Sequence, residues 1–199
     1  MPVFKGSKGT DMNKFCIILI ILLPLSGYGL KKEISVEKIY WNKDYLLTWN
    51  DFLGQPLLSS KNGAVSYIVV DPHYEYKSGI LTVEVRSYFN SSKSWSKEKK
   101  QTIKALKHEQ GHFDIAEIYS REFKKAAKES KFRTNNVKNK MAKINQRINL
   151  EHIKCQDLYD RETNHHLNEA AQLNWNNKIA MRLEDLEEYS EPNLIINVK

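Results

Sequence analysis

Two histidines and a glutamate at helical spacing are the residues of this sequence best suited to chemistry. The stretch from His108 to Glu117 reads His-Glu-Gln-Gly-His-Phe-Asp-Ile-Ala-Glu. Residues four apart on an α-helix lie one above the other, so one nitrogen each of His108 and His112 can bind a single metal ion. Glu109 lies about 100° round the helix from His108, where it can border the metal and accept a proton from water. The pattern predicts a Zn²⁺ site with His108 and His112 as ligands and Glu109 as the catalytic base.

The motif lies within a long stretch that favours an α-helix. No proline occurs between Ser96 and Lys128, and Gly111 is the only glycine in that range. Ser94 or Ser96 can cap the helix, which we expect to run to about Lys131. A glycine inside a helix costs about 1 kcal/mol relative to alanine. Gly111 therefore indicates either a tolerated defect or a place where another backbone or a substrate passes closely.

A catalytic zinc site usually has three protein ligands and a water molecule, so a third ligand has to come from elsewhere. Glu117 lies about 180° from His108 on a straight helix, and we interpret both Glu117 and Asp114 as structural groups on the far side. A second helix antiparallel to the first would return its C-terminal end to the motif. His165 or His166 could then complete the site, and two carboxylates near the same helix end are the alternatives: Asp160 and Glu162. A helix cap or an exposed junction is the simpler explanation of this histidine pair.

Strands precede helices along the chain, which predicts an α+β fold. Residues 30–90 are expected to be mostly β and residues 95–189 α-helical. Alternating or β-branched stretches predict these strands: Ile34–Tyr40, Tyr45–Thr48, Ala64–Val70, Tyr74–Lys77 and Ile80–Phe89. Ser78-Gly79 predicts a hairpin turn between the last two, and residues 49–56 predict a short helical turn.

Two further long helices are predicted after the motif helix. The second begins near Val137 and carries an apolar stripe at spacings of three and four: Val137, Met141, Ile144, Ile148, His152, Cys155 and Tyr159. The third covers about Leu167 to Tyr189, and its apolar face comprises Ala171, Trp175, Ile179, Leu183 and Leu186. We expect the tail from Pro192 to be loose.

The N-terminal part of the chain has the pattern of a targeting segment. Three lysines precede an apolar run at 15–25, and glycines follow that run. Initiation at Met12 would give a compact signal peptide. We expect residues 1–29 to be removed and residues 30–199 to act as one exported domain, periplasmic or extracellular, without stable membrane insertion. Retention of the segment as an N-terminal anchor is the alternative.

Composition and charge narrow the range of partners. Hydrophobic residues make up 41% of the chain and charged residues 28%, which is typical of a globular domain. The formal net charge is +7, and the chain stays basic without its first 29 residues. This charge suits acidic peptides or anionic envelope polymers, although a solvated lysine-rich surface is the simpler explanation. Nucleic acid is not an expected partner, because no recognisable binding motif is present.

Three residues of the second helix bear on the site. His152 lies on the apolar stripe and is more typical of a core histidine than of a ligand. Cys155 is the only cysteine after residue 29, so no intramolecular disulfide can form in the exported chain, and we interpret it as a small packed residue or, less simply, a zinc thiolate. Tyr159 is a packing residue or a catalytic residue whose phenol stabilises an oxyanion near the metal.

Three stretches together resemble a known family. They are Trp49-x-Asp-Phe-x-Gly-x-Pro56, the block from His108 to Glu117, and Tyr159-Asp-x-x-Thr-x-His165. The combination resembles an uncharacterised bacterial family described as predicted secreted zinc-dependent proteases, over most of the chain after residue 29. The resemblance implies that His108, His112 and His165 bind zinc and that Glu109 is the general base. The family pattern places a glycine after the third histidine, where this chain has His166.

These observations predict an exported zinc metallopeptidase that hydrolyses a peptide or protein substrate. The substrate backbone could add to an open edge of the strand Ile80–Phe89. One alternative is a cell-envelope binding protein that zinc stabilises without turnover. Others are a zinc hydrolase acting on a non-peptide amide and a coincidental motif without metal.

Overall fold

The computed structural model describes residues 38–198, and it has the α+β fold that the sequence predicts. The strands are β1 (Lys38–Tyr40), β2 (Ala64–Val65), β3 (Ile68–Lys77), β4 (Ile80–Asn90), β5 (Trp95–Ser96) and β6 (Asn193–Asn197). The α-helices are α1 (Ile103–Glu129), α2 (Val137–Thr163) and α3 (Glu169–Asp185). Short 3₁₀-helices cover Trp49–Asp51, Glu98–Lys100 and Glu187–Tyr189. The predicted targeting segment, residues 1–29, lies outside the described residues.

The main sheet is antiparallel, with β4 at its centre. β4 pairs with β3 along its length on one side. On its other side it pairs with β1 at one end and with β6 at the other. The expectation of an open edge along Ile80–Phe89 is therefore wrong, because both sides of that strand are occupied.

The β3–β4 hairpin follows the pattern that the sequence predicts. Ser78 and Gly79 form its turn with φ values of 51° and 81°, as a two-residue turn that matches the strand twist requires. Leu81, Val83 and Val85 are at most 1% exposed, whereas the residues between them are exposed or half-buried. Strict alternation thus gives β4 one face against the helices and one face towards solvent.

Helix α1 lies between the sheet and the other two helices. It contacts β3 and β4 on one side and α2 and α3 on another. A helix covered on several sides has to be apolar around most of its circumference, and α1 buries Phe113, Ile115, Ile118 and Phe123 to within 1% exposure. The motif from His108 to His112 is therefore held by a helix that neighbouring elements enclose on several sides.

Helix α1 begins later than the sequence predicts. Its N-cap is Thr102, whose side chain accepts a hydrogen bond from the backbone N–H of Ala105. Neither Ser94 nor Ser96 caps it. Trp95 and Ser96 pair instead with β2, and the Ser94 hydroxyl donates to the carbonyl oxygen of Asn90.

The predicted loose tail is also wrong. β6 pairs with Ile80–Glu84 of β4, with Leu194 opposite Val83 and Ile196 opposite Leu81. The side chains of Leu194 and Ile196 pack against the main apolar core. Burial of this alternating apolar pair, together with the new backbone hydrogen bonds, offsets the entropy lost on ordering the terminus.

The remaining predictions differ in outcome. Residues 45–48 form no strand, and the backbone N–H of Leu47 donates instead to Oε1 of Gln110 at 2.8 Å. The helical turn is confirmed at Trp49–Asp51, and α2 and α3 are confirmed with ends shifted by a few residues. Within the described part of the chain, no helix is long and apolar enough to cross a membrane.

Candidate metal centre

His108 and His112 of α1 direct their Nε2 atoms to the same point. The two Nε2 atoms are 3.2 Å apart. His108 is 2% exposed, and the side chain of His112 is 15% exposed. The i, i+4 spacing of the motif thus brings two imidazole nitrogens together in a largely enclosed position.

Asp160, in the last turn of α2, lies directly against this histidine pair. Its Oδ1 atom is 3.0 Å from Nε2 of His108 and 3.0 Å from Nε2 of His112. Nδ1 of His165 is 3.3 Å from the same oxygen. A carboxylate considered only as an alternative in the sequence thus contacts all three histidines that the resemblance implies as ligands.

His108, Asp160 and His165 form a cluster that could hold a metal ion, since one ligand atom from each lies within 4.8 Å of the others. His112 adds a fourth donor beside it, through its short distances to His108 and Asp160. The donors are three imidazole nitrogens and one carboxylate oxygen, a set that suits a divalent transition metal rather than calcium or magnesium. The residues present therefore fit a metal ion.

A left-handed turn after α2 brings His165 to the cluster. Asn164, His165 and His166 have φ values of 48°, 50° and 70°. Residues other than glycine rarely adopt positive φ values three times in succession, because in this region the Cβ atom approaches the following carbonyl oxygen. The turn reverses the chain, so that His165, although 62% exposed, reaches back to Asp160.

The other two alternative ligands are placed differently. Oε2 of Glu162 accepts a hydrogen bond from Nε1 of Trp175 at 2.7 Å, so this carboxylate ties α2 to α3. The ring of His166 is centred 6.0 Å from that of His108. Partial burial and the charge of His108 lower the pKa of His166. Its φ of 70° is one that glycine adopts at less cost, in keeping with the glycine that the resembling family has there.

Glu109 lies beside the cluster, on the side that faces the β2–β3 connection. It is 8% exposed, and its Oε2 atom accepts a hydrogen bond from the hydroxyl of Ser66 at 2.6 Å. Its Oε1 atom has no hydrogen-bond partner among residues 38–198. One carboxylate oxygen is thus held in place while the other stays available.

Two glutamines fix the orientation of the motif histidines. Oε1 of Gln172 is 3.1 Å from Nδ1 of His108, and Oε1 of Gln156 is 2.5 Å from Nδ1 of His112. The amide nitrogens donate elsewhere: Gln172 to the Tyr159 hydroxyl, and Gln156 to the His112 carbonyl oxygen. The amide oxygens therefore accept from Nδ1–H, which leaves the Nε2 atoms facing the cluster.

Tyr159 packs against His108 and holds its ring in place. Its ring stacks on the imidazole at 4.5 Å with an interplanar angle of 12°, and its hydroxyl donates to the His108 carbonyl oxygen at 3.1 Å. Tyr159 is 0% exposed. The predicted catalytic role at an oxyanion does not fit this arrangement, because the hydroxyl has its partners inside the fold; Tyr159 positions His108.

The packing of Tyr159 also accounts for Gly111. A Cβ atom on Gly111 would lie 2.2 Å from the Tyr159 hydroxyl oxygen. The close approach that the sequence suggested is therefore made by a side chain rather than by another backbone or a substrate.

Asp160 and His112 each stabilise the charged form of the other. Burial opposes protonation of His112, but its hydrogen bond to Asp160 and the negative charges of Asp160 and Glu109 raise its pKa to about 9. Burial would raise the pKa of Asp160, but hydrogen bonds from His108 and His112 lower it overall. Without a metal, a proton on His112 balances the carboxylates. A divalent cation can replace that proton.

The acidic residues on the far side of α1 are structural, as the sequence suggests. Asp114 accepts hydrogen bonds from Nε1 of Trp41 and from Gln110, both at 2.9 Å. Burial raises the pKa of Asp114. Glu117 accepts from the Ser87 hydroxyl at 2.8 Å and from Nε of Arg121 at 3.0 Å. Both carboxylates join α1 to neighbouring elements.

His152 and Cys155 lie outside the cluster. Nε2 of His152 is 2.9 Å from Nε2 of Gln156, and its ring packs on that of Tyr119. Burial, with the charge of His112, lowers the pKa of His152 to about 4. Burial also raises the pKa of the Cys155 thiol, which does not favour a thiolate.

Three supporting residues were not found from the sequence: Ser66, Gln156 and Gln172. Gln156 had a local signal, since it precedes Asp160 by one helical turn and so shares its face of α2. Ser66 and Gln172 had none, because their contacts with α1 depend on how distant segments pack.

A comparison with known proteins finds a family match, which covers the region around the cluster. No curated protein and no solved structure matches the chain. Residues 86–166 match the model of a family described as "Bacterial protein of unknown function (DUF922)". That range contains the motif of α1, Asp160 and His165, whereas Ser66 and Gln172 lie outside it. The candidate metal centre therefore lies within the part of the chain that is similar to this bacterial family.

Proposed function

We propose that this protein is a zinc-dependent hydrolase that cleaves peptide bonds, with His108, His112 and Asp160 as the zinc ligands. One observation carries the proposal. The three donor atoms are separated by 3.2, 3.0 and 3.0 Å. Zinc bonds of about 2.0–2.1 Å in a tetrahedral arrangement put ligand atoms about 3.3 Å apart. The donors are thus spaced as the corners of one face of a zinc tetrahedron.

The donor set favours zinc over other metals. Two imidazoles and one carboxylate are ligands that catalytic zinc sites use, and such sites keep one position open. His165 lies beside the proposed ligands through its 3.3 Å contact with Asp160. It either holds the carboxylate by a hydrogen bond or adds a further ligand.

The chain's own residues supply the remaining steps of hydrolysis. Zinc, when bound, supplies a Lewis acid that polarises a carbonyl group and acidifies a water molecule. Glu109 takes a proton from water at its unpaired oxygen and passes it to the departing amine. Ser66 holds the other oxygen of Glu109, and Gln156 and Gln172 keep the histidine rings oriented. Burial of these groups strengthens their electrostatic interactions.

The peptide substrate and the export of the chain are parts of the same proposal. The motif and the family resemblance support a peptide substrate, and the apolar run at 15–25 with its preceding lysines supports export. The site acts on a carbonyl group, so an acyl-transfer reaction to water is the class of chemistry proposed.

Metal content and hydrolysis, measured together, test the proposal. We expect about one zinc per chain and hydrolysis of a casein-derived peptide mixture by the zinc-loaded protein. Glu109→Gln should keep the zinc and reduce turnover by at least about 100-fold, since it removes the base without removing a ligand. Loss of zinc in Glu109→Gln, or turnover equal to that of the unsubstituted chain, would contradict the assigned role.

A second candidate is a protein that zinc stabilises without turnover. The proximity of a fourth donor, His165, favours it, because four protein ligands close a zinc site. This candidate predicts a higher melting temperature with zinc and no hydrolysis that depends on Glu109. It also predicts that His165→Ala lowers zinc-dependent stability to the same extent as His112→Ala.

A further inference from the structure

We propose that the metal centre binds peptide segments that carry acidic side chains. Three lysines beside the centre bind those acidic side chains. These residues, Lys93, Lys100 and Lys104, are named the basic rim. The inference rests on the proposed function and adds a class of substrate to it. It is supported by the position and the exposure of the three lysines, of which only Lys104 has an acidic partner, Glu169.

Lys104 stands one helical turn before His108. Residues four apart share a face of a helix, so the Lys104 side chain emerges on the side of the metal centre. Its Nζ atom is 2.5 Å from Oε1 of Glu169, the first residue of α3. This contact places its ammonium group beside the turn that carries His165. Because Lys104 and Glu169 are 65% and 71% exposed, water screens the pair, and a substrate carboxylate can compete for the lysine.

Lys93 and Lys100 flank the segment that supports Glu109. The Nζ atom of Lys93 is 4.5 Å from the centre of the Tyr67 ring, and Tyr67 follows Ser66 directly. Lys100 packs on Gly63, where a Cβ atom would lie 2.9 Å from Cβ of Lys100. These contacts place the ammonium group of Lys93 and the aliphatic part of Lys100 beside the segment that contains Ser66.

The basic rim has little negative charge of its own. The range 93–107 contains six lysines and one acidic residue, Glu98. Among residues 38–198, neither Lys93 nor Lys100 forms an ion pair, and both are exposed. Three lysines from separate elements thus lie beside the residues that carry Ser66 and His108, and only the charge of Lys104 has an acidic partner. Such a surface attracts anionic groups and orients them during encounter.

A matched pair of triple variants tests the basic rim. The first is Lys93→Gln, Lys100→Gln and Lys104→Gln in the full chain. The control is Lys138→Gln, Lys143→Gln and Lys154→Gln, which removes the same charge from exposed positions of α2. Each set is introduced into zinc-loaded Glu109→Gln, so that bound peptide is not cleaved. The probe is a fluorescein-labelled peptide of alternating glutamate and alanine, and binding is read by fluorescence anisotropy at low ionic strength.

We expect the basic-rim variant to bind this probe about tenfold more weakly and the α2 variant to change less than twofold, since each exposed charge pair contributes modestly. A peptide in which lysine replaces glutamate should bind neither protein. Equal weakening by both variants, or none by the basic-rim variant, would overturn the inference.

Two further readouts separate this inference from its alternatives. Dextran sulfate binding that depends on the basic rim, without binding of the acidic peptide, would overturn the inference in favour of a polyanion surface. Zinc content and casein hydrolysis report the proposed function independently. If hydrolysis is absent while the acidic peptide still binds through the basic rim, the proposed enzyme activity fails and the binding surface stands.

Discussion

The hydroxyl of Tyr159 occupies the space where a side chain on Gly111 would begin. The distance from an added Cβ atom to that oxygen would be 2.2 Å, and to the ring carbon that carries it 2.8 Å. Tyr159 reaches the His108 carbonyl oxygen and stacks on the His108 ring from this position. One glycine of α1 thus lets a residue of α2 hold the first motif histidine in place.

Gly111→Ala should therefore damage both stability and metal binding. Alanine gains about 1 kcal/mol in helix propensity, but overpacking a core typically costs about 1–3 kcal/mol. We expect a lower melting temperature and weaker zinc binding, because Tyr159 has to move away from His108. Differential scanning calorimetry with and without zinc measures both effects.

A double-mutant cycle with Tyr159→Phe provides the control. Removal of the hydroxyl relieves the shortest contact, so Gly111→Ala should cost less in the Tyr159→Phe background than in the unsubstituted chain. Additive losses would show that Gly111 and Tyr159 do not interact as described.

Asp160 should matter more for zinc than His165. Asp160 contacts both motif histidines at 3.0 Å, whereas His165 is 62% exposed and contacts the carboxylate at 3.3 Å. We expect Asp160→Ala to abolish stoichiometric zinc. His165→Ala should weaken binding by about 10–100-fold, as is typical of losing a residue that orients a ligand. Zinc titration against a fluorescent chelator measures both.

His166→Gly is the matched control for this prediction, since it alters the neighbouring histidine in the same left-handed turn. Glycine adopts a φ of 70° without strain, so zinc affinity should be unchanged or slightly higher. If His166→Gly loses as much zinc as Asp160→Ala, the ligand set is different from the one proposed.

Gln172 should set the tautomer of His108. Its amide oxygen accepts from Nδ1–H of His108 at 3.1 Å, and its amide nitrogen donates to Tyr159 at 2.7 Å. Gln172→Leu should weaken zinc binding by about 10–100-fold. Gln172→Glu should restore most of it, since a carboxylate also accepts from Nδ1–H. ¹⁵N chemical shifts of His108 report the tautomer directly.

Gln146→Leu is the comparison for Gln172→Leu, because Gln146 is an exposed glutamine of α2. Its replacement should leave both the zinc affinity and the His108 spectrum unchanged. An unaltered His108 spectrum in Gln172→Leu would show that the glutamine only packs.

Lys124 should make stability depend on pH in the alkaline range. It is 2% exposed and its Nζ atom donates to the carbonyl oxygen of Glu191 at 2.8 Å. Burial lowers its pKa to about 8, below the value of about 10.4 expected in the unfolded chain. Between these values the unfolded state binds more protons, so the contribution of Lys124 to the free energy of unfolding rises with pH.

Comparison with Lys124→Met isolates this effect. The difference in unfolding free energy between the original chain and the variant should shift by roughly 2 kcal/mol in favour of the original chain from pH 7.5 to pH 10. Urea denaturation at the two pH values measures it. A constant difference would contradict the lowered pKa.

Local periodicity accounts for what could be predicted. The i, i+4 spacing placed His108 and His112 on one face of α1 with Glu109 beside them, and strict alternation correctly predicted the buried face of β4. The apolar stripe of α2 correctly predicted the burial of Met141, Ile148 and Tyr159. These features depend only on the repeat of a helix or a strand, which sequence alone contains.

Errors arose where distant segments compete for the same residues. Trp95 and Ser96 were expected near the start of α1, but pairing with β2 takes them into a strand. The tail beyond Pro192 was expected to be loose, but pairing with β4 orders it as β6. The free-energy contribution of local helix or strand propensity is small, and such tertiary contacts override it.

The sequence by itself determined the spacing of the motif residues and the face of α1 that carries His108 and His112. Only the tertiary structure decided that Asp160 contacts the Nε2 atoms of both histidines, that Ser66 holds Glu109 and that Gln172 orients His108. These residues are separated from their partners by tens of positions along the chain. Their meeting depends on how α2, α3 and the β2–β3 connection pack around α1, which helical and strand periodicity do not specify.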